Sequence, residues 1–468
     1  MGVTCAHHTR RLPVARPRGG GGIAGSELRR SLGKPSPARY NPIMRRMHGI
    51  APAVLCVMLY VSLATAGAQL VVSRDGAGGY RSIQGAIDAA SFGDTVYVNP
   101  GVYEERVTFK HGISLIGAGA TVTIIRHGYG AEEALLVHHA SAGRIEGFTI
   151  ERGAAPLPAP AVVFDEASVL VRDCILRGGS TAAVDVVGST SRLTLERVWI
   201  TGTAGHGLRV SGGAVLRLEE CEIRDVGGNG VLCEDATLDL VACTIEGNGL
   251  HGLAVGGTGR VSLVGGRLDA QSGWAILAAG SSTLDARGAA LRRNREGAVR
   301  LTGASAATLI RLMIGDGGGG IELRDTARAE IESVRIEAGS GDGLLVLDAA
   351  TATVRRSEIV AVRGDGIVLA SSAPCIVENC TVVSSGGDGV RIEGPSIVLR
   401  HTAVARNTGA GLRVRSVTET PAQRLLGYNA VWGNGEDYVG TSRRPSDIAA
   451  PPEFAALDTG NLSLREDS

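Results

Sequence analysis

Asn229-Gly230-Val231-Leu232-Cys233-Glu234-Asp235-Ala236-Thr237-Leu238-Asp239-Leu240-Val241-Ala242-Cys243-Thr244-Ile245-Glu246-Gly247-Asn248 holds the architecture in one repeat. Apolar residues alternate in three short runs: Val231 and Cys233, Leu238 and Leu240, Cys243 and Ile245. A period of two puts these side chains on one face of an extended strand and Leu232, Glu234, Asp239 and Thr244 on the other. Asp, Gly, Asn and Ala separate the runs, so each repeat reads as three strands and three turns.

The phrase returns at Gly207, Gly230, Gly252, Ala275, Ala298, Gly320, Gly343, Gly366, Gly389 and Gly411, in steps of 22 or 23 residues. Weaker copies run back through Ala183, Ala161 and Ala134. A period this constant means a solenoid in which each repeat buries its apolar face on the next. Stacked coils pair strand on strand in parallel, at about 4.8 Å per coil. The expected fold is all-β: a single-stranded parallel β-helix with 22–23-residue coils. About 13 to 14 coils would make a rod on the order of 65 Å long. A leucine-rich repeat has a period in the same range, but it needs Leu-x-x-Leu-x-Leu and a helical return, and neither recurs. Left-handed β-helices use six-residue repeats, also absent, which favours the right-handed form.

The zero formal net charge hides an asymmetry. Residues 1–68 hold ten basic residues and one acid, Glu27, leaving 37 basic against 46 acidic residues in the remainder. An acidic rod excludes nucleic acid as a partner. Residues 1–43, rich in Arg, Gly and Pro, read as a non-structural leader upstream of the true start. Residues 44–68 read as an export signal: Arg45, Arg46 and His48, then the apolar run 50–63, then Ala66-Gly67-Ala68 as cleavage site. The run is short for a membrane span and carries Pro52. The expectation is a secreted protein, periplasmic or extracellular, with no stable span after cleavage. Residues 69–125 then form the N-terminal cap and first coils, 126–427 the repeats, and 428–468 a closing coil and tail.

Six cysteines remain. Cys174, Cys221, Cys243 and Cys380 share one inward slot that other repeats fill with Phe148, Val198, Leu312 or Val334, so they read as buried thiols. Cys221 and Cys243, one coil apart, are also within reach of a disulfide.

The segment Asp75-Gly-Ala-Gly-Gly-Tyr80-Arg-Ser-Ile83-Gln-Gly-Ala86-Ile87-Asp-Ala-Ala90 resembles the opening of pectinesterases and of the wider pectin-lyase-like superfamily. The likeness continues through Gly93-Asp94-Thr-Val-Tyr-Val98, Pro100-Gly-Val-Tyr103-Glu-Glu105 and Ile113-Ser-Leu-Ile-Gly117. Ser82 would N-cap a short helix whose stripe Ile83, Ala86, Ile87 and Ala90 plugs the first coil. Asn248, Asn294, Asn407 and Asn434, near one turn, would tolerate left-handed backbone and ladder their amides between coils. The ending from Tyr428 to Phe454 is similar to the closing coil of many secreted β-helix proteins. The resemblance implies the right-handed fold and a polysaccharide ligand. It does not extend to chemistry: the pectinesterase elements built on Gln-Asp-Thr-Leu, Asp-Phe-Ile-Phe-Gly and Arg-Pro-Trp have no counterpart. Gly205-His206-Gly207 is similar to the Gly-His-Gly of polygalacturonases, but that family's other motifs are missing.

The residue before the repeating glycine forms a column: His206, Asn229, His251, Trp274, Gly297, Gly319, Asp342, Asp365, Asp388, Ala410. Three carboxylates about 5 Å apart repel by roughly 1 to 3 kcal/mol per pair. Such a stack must fan into water, raise a pKa, or hold hydroxyls or a divalent cation such as calcium, the one cofactor the chain suggests. Replacing the three by Asn is expected to relieve repulsion. The bland alternative is that Asp-Gly, Asn-Gly and His-Gly are turn pairs. Arg391 and Arg413, beside the column, could hold sugar carboxylates or form cross-coil ion pairs. Trp274 and His251 complete the candidate ligand site, Trp274 as a ring for stacking on a sugar. Two functions follow: a protein that binds or processes extracellular polysaccharide, or a non-catalytic scaffold or adhesin of the cell envelope. Scarce aromatics (3%) and the missing motifs lean against catalysis.

Overall fold

The computed structural model describes residues 67–468 apart from 129, 154–156, 416–422, 449, 451–453, 457–460 and 465–468. The leader 1–43, and the export segment 44–68 up to residue 66, lie outside the described residues. Each coil contributes one strand to each of three parallel sheets, in the order read above. The first sheet runs from Val107–Thr108 to Glu436–Val439, the second from Gln69–Val72 to Gln423–Gly427, and the third from Gly101–Tyr103 to Ala430–Trp432. The second sheet holds 17 strands and the other two 15 each, more coils than the repeats alone suggested. Most of the surplus lies before Ala134, where coil length varies too much to register as a repeat, and Glu436–Val439 adds one strand after Gly411.

Inward and outward faces follow the alternation. Val231, Cys233, Leu238, Leu240, Cys243 and Ile245 are buried, and register pairs Leu238 with Val261 and Ile245 with Leu268 in the next coil. The repeating glycine packs where strands of the first and third sheets converge. A Cβ on Gly343 would stand 2.6 Å from the Ile359 Cγ2 methyl and 2.6 Å from the Gly366 carbonyl oxygen. All six cysteines of the rod are buried and free, including the stacked Cys221 and Cys243. Burial pushes the Cys174 and Cys233 thiols up to about 12.

All three corners turn through left-handed residues; between the first and second sheets these include Asp235, Gly257, Gly280 and Asp325. Between the second and third sheets these are Arg197, Glu220, Ala242 and their equivalents; between the third and first, Asp225, Gly247, Ala270 and Arg293. The asparagines read as left-handed therefore sit one residue further on. Gly247 and Arg406 carry the positive φ (66° and 55°), while Asn248 and Asn407 point inward and are buried. Their amides do ladder. Asn248 Nδ2 donates to Gln271 Oε1 at 2.9 Å, and Asn407 Nδ2 to Asn434 Oδ1 at 2.9 Å. An inward amide is tolerable only because the ladder satisfies it.

Helix α1 (Ile83–Ala89) caps the amino end, with Ile83, Ala86 and Ile87 buried and Ser82 Oγ accepting the Gly85 N–H at 3.2 Å. The Glu105 carboxylate accepts from the Ile83 and Gln84 N–H groups at 2.8 and 3.0 Å, placing a negative charge on the helix N-terminus. Tyr103 Oη donates to the Asn99 carbonyl at 2.9 Å. The Gly101-Val-Tyr103-Glu-Glu105 element thus ties cap to coil.

At the carboxyl end Arg424 takes the inward position occupied one coil earlier by Ile397. Its guanidinium donates to the carbonyls of Gly394 and Arg415, each at 2.9 Å, and of Glu393 at 3.4 Å. The tail beyond the last coil is not another coil. Strands Phe454–Ala456 and Asn461–Leu464 pair antiparallel, and Phe454 is buried against Val383 and Ala405 on the outer side of the third sheet.

Candidate functional site

The column before the repeating glycine is a hydrogen-bonded ladder. Each acceptor side chain takes the backbone N–H of the equivalent residue one coil on. His206 Nδ1 accepts from Asn229 (3.1 Å), Asn229 Oδ1 from His251 (3.0 Å) and His251 Nδ1 from Trp274 (3.0 Å). Further along, Asp342 Oδ1 accepts from Asp365 (2.8 Å), Asp365 Oδ1 from Asp388 (2.7 Å) and Asp388 Oδ1 from Ala410 (2.7 Å). Asp, Asn and His share the position because each carries an acceptor at the same reach from the backbone. The second carboxylate oxygens meet arginines: Asp365 Oδ2 lies 2.8 Å from Arg391, and Asp388 is bound by both Nε and Nη2 of Arg413. Burial alone would raise the Asp388 pKa, but Arg413 and the Ala410 N–H hold it below the usual carboxylate value. Arg391 also reaches Glu393 at 3.3 Å. The structure thus brings Asp365, Asp388, Arg391 and Arg413 together as mutually neutralised pairs.

Asp342 makes the ladder bond and, among the described residues, no ion pair. Among the described residues no three His, Cys, Asp or Glu side chains gather closely enough to hold a metal ion. Trp274 does not offer its ring to solvent: it is 5% exposed, with the Arg300 guanidinium 5.0 Å over its centroid. The next two coils carry Gly297 and Gly319 at this position, and the ring lies across them; a Cβ on Gly297 would come within 2.3 Å of it. His251, two coils before Gly297, is half-buried, and burial lowers its pKa.

The second sheet has the opposite character. Its outward positions from Thr237 to Thr353 are mostly short: Ser262, Thr283, Ala306, Thr308 and Thr351, with carboxylates at Asp239, Asp285 and Glu330 in every second coil. Together they floor an open concavity of about 580 Å³, flanked by Arg260 and Arg328. Six coils, separated by five steps of about 4.8 Å, give the groove a length of about 24 Å, with its carboxylates about 10 Å apart. Asp285 is bound by Arg287 at 2.7 Å, whereas Asp239, Glu330, Arg260 and Arg328 make no ion pair among the described residues. Two more concavities lie on the same outer face, one over 114–196 and one over 398–446. Sequence reasoning passed over this face because short polar residues at outward positions read as ordinary solvated surface. The available signal was size: the first sheet carries Arg209, Leu277, Arg300 and Arg413 outward where the second carries Ser, Thr and Ala.

Among solved structures, the chain is similar to the tailspike protein 2 enzymatically active domain of bacteriophage CBA120. That match has a TM-score of 0.45 and 9% identity and covers 56% of this chain and 44% of that one. It is also similar to the catalytic unit of a GH87 α-1,3-glucanase from Streptomyces thermodiastaticus, with a TM-score of 0.42, 14% identity, and 78% and 66% of the two chains covered. In sequence it is 32% identical over 183 residues to "Probable pectinesterase/pectinesterase inhibitor 33" of Arabidopsis thaliana, an alignment covering 36% of this chain. The chain spans 30% of that plant protein's length. The right-handed β-helix region model matches residues 110–268 and 297–436, more than half of the chain and most of the three-sheet coil described above, so the protein belongs to the right-handed β-helix family.

Proposed function

We propose that this is an exported β-helix protein that binds an extended polysaccharide along the outer face of the second sheet. The observation that carries the reading is the groove from Thr237 to Thr353, open along the rod and floored by hydroxyls and carboxylates at coil spacing. A sugar chain offers hydroxyls at regular intervals; Thr and Ser hydroxyls can donate to or accept from them, and Asp carboxylates accept from them. The export signal read at 44–68 and the partial likeness to a plant pectinesterase support the same reading. Binding rather than turnover is what the groove favours, since Asp285, the central carboxylate, is already engaged by Arg287.

The test is to fill the groove. Thr308→Trp and Ser262→Trp add bulk at outward, half-buried positions without touching the core. Affinity electrophoresis of the intact chain against a panel of neutral and acidic plant and bacterial polysaccharides should find at least one ligand, and both variants should lose it while keeping a β-dominated circular dichroism spectrum. No ligand in the panel, or a ligand held equally by both tryptophan variants, overturns the reading.

A further inference from the structure

The concavity at the carboxyl end of the second sheet differs in charge from the rest of the rod. It measures about 440 Å³, and its lining holds Arg400, Arg424 and Arg444, the ring of Tyr428, and no carboxylate. This stands out in a chain whose residues after position 68 carry an excess of acids. The arginines are not equally occupied. Arg400 gives Nε to Glu378 at 2.6 Å, Arg424 gives its donors to main-chain carbonyls, and the exposed Arg444 makes no ion pair among the described residues. The nearby Asp447 carboxylate is taken up by the Asn429 and Arg444 N–H groups, at 3.0 and 2.9 Å.

Tyr428 is held open. It is 64% exposed, it occupies a left-handed corner (φ 56°) that a bulky side chain seldom adopts, and its ring stacks on that of His401, centroids 5.5 Å apart and planes at 29°. Ser446 Oγ accepts the Tyr428 N–H at 3.3 Å and pins the corner. An exposed ring stacked on a second ring, beside Arg444 with no ion pair among the described residues and Arg400 with only its Nε engaged by Glu378, is chemistry for a flat ligand with a negative group.

We propose that this concavity binds an anionic sugar ring, the ring lying on Tyr428 and its carboxylate or sulfate held by Arg444 and Arg400. The site is separate from the central groove, and it rests on the polysaccharide reading only in taking the ring to be a sugar.

The test is calorimetry on the intact chain with trigalacturonate, sulfated maltotriose and unmodified maltotriose. At least one acidic probe should bind, with affinity falling as salt rises, and maltotriose should not; which acidic probe binds tells carboxylate from sulfate. Arg444→Gln, and Tyr428→Asn, which suits the left-handed corner, should each weaken binding about tenfold. Thr308→Trp, which blocks the central groove, should leave it in place. Failure of both acidic probes, or affinity unchanged in both Arg444→Gln and Tyr428→Asn, overturns the proposal. Loss of acidic binding in Thr308→Trp also overturns it, because the probe then sits in the central groove, and the polysaccharide reading survives.

Discussion

His251 accepts the backbone N–H of Trp274 through Nδ1 at 3.0 Å, so the coil-to-coil ladder requires that nitrogen unprotonated. His206 does the same for Asn229. Burial lowers both histidine pKa values, helped for His206 by Arg209. The folded state therefore binds fewer protons than the unfolded state. The stability the two residues confer is complete above the unfolded histidine pKa of about 6.5 and declines as pH falls through the lower folded values. Melting temperature should drop between pH 7 and pH 5. A His206→Asn/His251→Asn variant should lose most of this slope, because Asn229 already does the same work with an amide.

The carboxylate stack should answer charge removal unevenly. Asp388→Asn keeps the ladder oxygen for the Ala410 N–H but strips Arg413 of its partner. With Arg413 partly exposed, the expected cost is about 1 kcal/mol by urea denaturation. Asp342→Asn, with no ion pair to lose, should be close to neutral. The gain expected from relieved repulsion in the triple Asn variant thus becomes a net loss, because Arg391 and Arg413 already offset the repulsion.

Ala242 holds φ at 53° on an exposed corner where the next two coils carry Gly265 and Gly288 at 66°. A left-handed alanine costs roughly 1–2 kcal/mol, and glycine's extra unfolded-state freedom costs roughly 0.5–1 kcal/mol. Ala242→Gly should therefore stabilise the rod by about 0.5 kcal/mol or more, read from the same denaturation curves.

Val231 is fully buried between coils, and each coil touches only its neighbours. Val231→Asp should cost several kcal/mol and broaden the melt as the stack breaks into two blocks. A wild-type melting temperature would contradict the inward placement of Val231.

The coil was legible because burial is periodic: Leu238 and Leu240 alternate with Thr237, Asp239 and Val241 in the chain as they do in space. The cap was legible because Ser82 and the Ile83, Ala86, Ile87 stripe are local signals. What escaped depended on neighbouring coils. Asn248 carries two propensities, a left-handed backbone and a laddering amide, and its type alone could not say that Gly247 takes the first. Trp274 is outward by register, yet it is covered because Gly297 and Gly319 leave a trough for its ring. The Asp342, Asp365 and Asp388 stack was visible as a column, but the arginines that neutralise it come from strands one coil further along. The groove on the second sheet is a property of side-chain length summed over six coils, which no single repeat displays.

A coil that stacks on copies of itself has no inherent length, since the last turn offers the same apolar disc as every turn before it. Arg424 puts a guanidinium, already engaged by three carbonyls, into one inward position of that disc, beside the apolar Leu426 and Val431. The molecule therefore carries its own ruler. Its span is set by how many repeats precede one arginine, and duplicating or deleting a 23-residue unit upstream should give longer or shorter rods that still end cleanly.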